Sequence, residues 1–110
     1  MVSYTYQAEK LSDARRCLML PHTEGEAAAI SNCFHACSLA FHRFDESTLD
    51  DDSRIWLTQI KKFMDTEDVP LATDGKGQWH AKALGSTTDE KIELSTAIDE
   101  LAFWFGYNDR

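Results

Sequence analysis

The stretch Ser86-Thr-Thr-Asp-Glu-Lys-Ile-Glu-Leu-Ser-Thr-Ala-Ile-Asp-Glu-Leu-Ala-Phe-Trp-Phe105-Gly106 contains a helix start, an amphipathic body and a helix stop in one run. Thr87 or Thr88 is placed to accept a hydrogen bond from the orphan amides of a first turn. Asp89 and Glu90 put negative charge at the positive end of the helix dipole. Leu94, Ile98, Leu101 and Phe105 follow at spacings of four, three and four, one apolar stripe on a helix of 3.6 residues per turn. Gly106 stands where a left-handed helix terminator is favoured. The reading is a helix over about 88–105, packed on one face.

Three more helices are legible upstream. One covers about 7–20, with Leu11, Ala14 and Leu18 on its apolar face and Pro21 beyond its end. A second covers about 24–44, with Ile30, Cys33, Phe34, Cys37, Phe41 and Phe44 as its stripe. The alanines at 27–29 would let a neighbouring helix come close. A third covers about 51–64, introduced by Asp50-Asp51-Asp52-Ser53 and buried through Trp56, Leu57, Ile60, Phe63 and Met64. Between the third and fourth helices the period changes. Trp79, Ala81 and Ala83 alternate with Gln78, His80 and Lys82, while Val69 and Leu71 flank Pro70. With Asp74-Gly75-Lys76-Gly77 as turn chemistry, the expectation is a short β-hairpin over about 69–84. The fold class is therefore mainly α: a single domain over 1–110, a bundle of about four helices with a hairpin between the third and fourth.

The chain of 110 residues carries a formal charge of −8, from 19 acidic and 11 basic residues. That balance disfavours nucleic acid and anionic lipid, which reward lysine and arginine, and favours a basic protein partner. Mimicry of nucleic-acid charge fits less well, because the acids are diluted by the bases. No apolar run approaches the roughly 20 residues that span a bilayer, and the first ten residues do not read as a secretory signal. Cys17, Cys33 and Cys37 are an odd number of thiols, two of them on one helix face. Reduced cysteines in a cytoplasmic protein fit better than a disulfide framework.

Chemistry-bearing residues are sparse. His35 and His42 lie seven apart, about 10 Å along a helix axis, too far to share one ion unaided. His22 precedes the same helix, so His22, His35 and His42 form the one candidate ligand or zinc site. Cys33 and Cys37 sit among apolar neighbours and read as small core residues, while Arg15 and Arg16 are expected to lower the pKa of Cys17. The run Asp45 to Asp52 fails as a calcium loop: counted from Asp50, the position that needs glycine is Ile55. Asp99 and Glu100 are adjacent on a helix and diverge by about 100°, so they form no shared-proton pair. Phe103, Trp104 and Phe105 cannot all face one core for the same reason, which leaves rings for another surface.

These readings point to a small acidic protein-interaction module of the inhibitor, immunity-type, adaptor or assembly-subunit kind. Its partner-binding candidates are Phe103, Trp104, Tyr107, Asp65, Glu67 and Asp68. The partner is a protein, basic in character, or a second copy in a homodimer. No cofactor and no resident metal are expected. The alternative is a small-ligand- or metal-binding helical bundle, or an enzyme, built on His35 with His22 and His42.

Overall fold

The computed structural model describes residues 3–19, 22, 24–67, 69 and 77–108. Five helices follow one another: α1 (Thr5–Cys17), α2 (Glu26–Phe41), α3 (Asp51–Met64), α4 (Gln78–Leu84) and α5 (Thr88–Asn108). A short 3-10 turn, Glu46–Thr48, precedes α3. α1 packs on α2 and α5, α5 also packs on α3, and α2 packs on α4. Every helix supplies the core: Leu11 and Ala14, Ile30 to Ala40, Leu57 and Ile60, Ala83, and Leu94 to Phe105. The stripe Leu94, Ile98, Leu101 and Phe105 is buried throughout, as its spacing requires.

Local chemistry sets the helix starts. Thr87 Oγ1 accepts from the Glu90 amide at 3.1 Å, and Glu90 Oε1 accepts from the Thr87 amide at 2.9 Å, a reciprocal capping box at the head of α5. Asp50 caps α3 by accepting from the Ser53 amide at 2.8 Å and from the Ser53 hydroxyl. Gly25 and Gly77 precede α2 and α4 with φ of 98° and 91°, a region where side chains are strained.

The expected hairpin over 69–84 is not formed in its second arm. Gln78–Leu84 is helix α4, so the helices number five, and no strand occurs among the described residues. Seven residues fit either period, and Trp79 and Ala83 share a helix face at i, i+4 as readily as they alternate. No β-branched residue occurs over 78–84, whereas alanine, glutamine, lysine and leucine all favour helix. Tertiary contacts hold α4 in place. Trp79 Nε1 donates to the Met64 carbonyl at the end of α3 at 3.2 Å, and its ring meets Phe34 of α2 edge-on at 6.3 Å. The first arm is represented only by Val69, whose amide closes a turn onto Thr66; Pro70, Leu71 and Asp74 to Lys76 lie outside the described residues.

Three helix ends also differ from expectation. α1 stops at Cys17, short of the expected 20. α5 runs through Gly106 to Asn108, because the glycine keeps a negative φ and Asn108 Nδ2 bonds back to the Trp104 carbonyl at 2.9 Å. α2 stops at Phe41, where His42 turns extended at ψ 122° and Arg43 adopts φ 55°. His42 is therefore off the helix that was to align it with His35.

Candidate functional site

Rotation by about 100° per residue divides α5 into two arcs. Leu94, Ala97, Ile98, Leu101 and Phe105 are buried, and on the opposite side Ile92, Phe103 and Tyr107 are 59%, 71% and 72% exposed. Phe103 and Tyr107, one turn apart, stack with centroids 6.1 Å apart and planes 17° from parallel. Isolated exposed apolar residues are ordinary, but here Phe103 and Tyr107 form a stacked pair and Ile92 lies on the same face about three turns earlier. Asp89, Glu93 and Glu100 fall on the same outer arc, and none of them makes an ion pair among the described residues. The outer face of α5 is thus apolar and anionic together.

Trp104 takes the opposite course from Phe103. Its ring lies edge-on to Tyr4 at 5.2 Å and to Phe105 at 5.5 Å, and its Nε1 donates to Asp50 Oδ2 at 2.9 Å. Tyr4, buried just ahead of α1, also meets Phe44 at 6.2 Å and Phe105 at 5.4 Å. Trp104 belongs to this aromatic seam.

Beside the outer arc runs a groove between α1 and α5. The helices are antiparallel here, since Tyr4 sits against Phe105 while Arg15 Nε reaches Asp99 Oδ1 at 2.7 Å. Three adjoining hollows of about 330, 350 and 400 Å³ make up the groove, sharing Leu18 and Ser95 at one junction and Arg15 and Asp99 at the next. Met19 on α1's side and Ile92 and Phe103 on α5 are its exposed apolar lips. The Arg15–Asp99 pair crosses it in open solvent, where such a pair contributes little energy and mainly cancels charge. At the other end Lys91 bonds Glu26 and joins α5 to α2; this hydrogen bond, then the lysine charge, holds the Glu26 carboxyl below its usual range.

The histidines do not assemble. His22 lies in the α1–α2 connection with Nε2 donating to the Leu18 carbonyl at 3.0 Å, His35 is exposed on α2, and His42 is exposed beyond the helix end. No three His, Cys, Asp or Glu side chains are grouped to hold a metal among the described residues. His80, which the sequence did not single out, has Nδ1 buried without a hydrogen-bond partner there, an isolated imidazole with no constellation around it.

Cys17 and Cys33 are poor nucleophiles. The hydrogen bond that the protonated Cys33 thiol donates to Cys37, then burial, pushes this thiol far up. Cys17 is also pushed up, by burial first and then by Asp13 and Cys37, against the opposing Arg16. Arg16 does act to lower it, as its charge leads one to expect, but burial and Asp13 outweigh it, and both guanidiniums are drawn into carboxylate pairs, Arg15 with Asp99 and Arg16 with Asp13. Neutral thiols at neutral pH supply no attacking thiolate.

The acidic candidates separate as well. Asp65 is exposed and accepts from the Glu67 amide at 3.0 Å, Glu67 is exposed, and Asp68 lies outside the described residues. Of the sequence-derived candidates, the structure brings Phe103 and Tyr107 together and separates them from Trp104. Sequence reasoning passed over Ile92, Met19, Asp89, Glu93 and Glu100. A helical wheel carries the signal for the four on α5, because each falls opposite the 94–98–101–105 stripe. Comparison of the chain with family models, with curated proteins and with solved structures finds no match.

Proposed function

We propose that the protein is a small acidic interaction module whose binding surface is the outer face of α5, and that its partner is a basic protein. One observation carries this reading: Ile92, Phe103 and Tyr107 stand in water beside three unpaired carboxylates on one helix face. Covering a large side chain contributes about 1.5–3 kcal/mol, so three such positions supply an anchor that folding has left unused. The carboxylates add direction, because they reward lysine and arginine and speed encounter with a basic surface. The same charges, and the −8 of the whole chain, oppose pairing of two copies through this face. The histidine-centred ligand reading has no comparable support, since His22, His35 and His42 occupy separate surroundings.

The test is affinity capture from a lysate of the source cell with the wild-type chain and with Phe103→Ser/Tyr107→Ser, each at low and high salt. Both side chains are exposed, so the double variant should keep the fold, with a stability change within about 0.5 kcal/mol per site. A partner retained by the wild type, lost by the variant and weakened by salt is the expected result. Identical retention by the two proteins sinks the reading.

A further inference from the structure

We infer that the groove between α1 and α5 receives an amphipathic, basic α-helix from the partner, a proposal that rests on the interaction reading above and specifies its geometry. The groove follows α5 from Thr88 to Phe103, which at 1.5 Å per residue is about 22 Å, four turns of an incoming helix. Its walls suit a cylinder. Small side chains line it, Ser95 and Thr96 in the middle and Ser12 and Ala102 at the Phe103 end, while Met19, Ile92 and Phe103 rise at the lips. Apolar residues of an incoming helix at i, i+3, i+4 and i+7 fit such a trough.

An extended peptide fits less well, for a backbone reason. Strand addition needs an open sheet edge to satisfy the peptide's amides and carbonyls, and no strand occurs among the described residues. A helix arrives with those groups already bonded internally.

The charge pattern specifies the occupant's sign. Within the groove, Arg15 is cancelled by Asp99 and Lys91 by Glu26, so neither base is left to repel a cation. On the α5 side Glu100 lines the groove and Asp89 lies on the adjoining outer arc, both unpaired among the described residues, while Glu93 lines a separate hollow with Lys62 and Lys82 on the other flank of α5. A helix with leucine-type residues toward the groove and lysine or arginine along its flank meets apolar lips and this anionic rim at once. A second copy of this chain would instead bring Asp89 and Glu100 against their own like charge.

The test uses the full chain, labelled with ¹⁵N, and a designed probe. The probe is an amphipathic peptide of about 18 residues, apolar at i, i+3, i+4 and i+7 with lysine and arginine elsewhere. Its controls are a scrambled peptide of the same composition and a glutamate-flanked version. Amide shifts confined to the groove around Ser12, Arg15, Ile92, Thr96 and Phe103 are expected. Binding should be at least about tenfold tighter than for either control, and Phe103→Ser should lose about tenfold. Thr96→Arg, an exposed change that adds a cation to the middle of the groove, should weaken the basic probe without unfolding the chain, as circular dichroism will check.

Equal binding of the scrambled peptide, with shifts spread over other acidic sites such as the start of α3, would mean charge attraction alone and overturns the proposal. So would a dimer in sedimentation equilibrium whose interface covers the groove. The two readings fail separately. If Phe103→Ser/Tyr107→Ser loses the captured partner but the probe leaves the groove unshifted, the helix geometry is wrong and the interaction surface stands. If the variant retains everything the wild type retains, the surface itself is wrong.

Discussion

Asp50 shows how one side chain joins distant segments. One of its oxygens caps α3 through Ser53, and the other accepts from the indole of Trp104, 54 positions along the chain. Asp50→Ala removes both. The cap is worth about 1 kcal/mol, and the hydrogen bond to a charged acceptor adds an amount on the order of 1 kcal/mol. Urea unfolding should show a loss near that sum for Asp50→Ala and about half of it for Asp50→Asn, which keeps an oxygen toward the Ser53 amide. Equal losses would mean that Trp104 gains nothing from Asp50. The neighbours Phe103 and Trp104 make the complementary point. Composition marks both as surplus rings, and helical rotation shows that they diverge. Which one turns inward depends on where Tyr4 and Asp50 arrive, and neither is local in sequence.

Helix boundaries show both the reach of local rules and their limit. The third helix was legible to its ends because Asp50 caps it and its apolar spacing is regular; the observed α3 is Asp51–Met64. At the C-terminal end of α5, Gly106 reads as a terminator and is instead helical, with open space where a Cβ would project. Gly106→Ala should therefore stabilise the chain by about 0.5–1 kcal/mol, since alanine suits a helix interior and loses less entropy on folding. A raised midpoint in denaturant is the expected outcome; a lowered one would mean that this glycine does end the helix. α4 was misread because a seven-residue segment is too short for its period to be decisive. The cue that favoured helix was the absence of β-branched residues. What holds it is its docking between Met64 and Phe34.

At the scale of the whole molecule, stability should depend on pH at both ends of the range. Glu26, Asp45, Asp50 and Glu90 are all held below their ordinary values, chiefly by hydrogen bonds from Lys91, Ser47, Ser53 and Thr87 respectively. A depressed carboxyl contributes stability that is complete above its unfolded value, about 4, and is lost as pH falls through the lower folded value. Cys17 and Cys33 are raised by burial and by neighbouring groups. Their contribution is complete below the ordinary thiol value of about 8.5 and is lost as pH rises above it, because only the unfolded chain ionises there. Urea midpoints measured across pH should show a plateau between these limits, falling on each side. Glu90→Gln should reduce the acid-side loss, because it removes the carboxyl that the Thr87 backbone amide chiefly depresses while leaving an oxygen to accept from that amide. An unchanged acid limb in that variant would remove Glu90 from the account.

The sequence by itself determined the helical class, the faces of α3 and α5 that enter the core, and the acidic character of the surface. All three follow from local propensity, periodicity and counted charge, which need no knowledge of neighbours. Only the tertiary structure decided that α4 is a helix, that Trp104 turns inward, and that α1 lies against α5 so that Met19, Ile92 and Phe103 line one groove. Those outcomes depend on contacts between residues far apart in the chain, whose burial and hydrogen bonds outweigh the small local preferences of short segments.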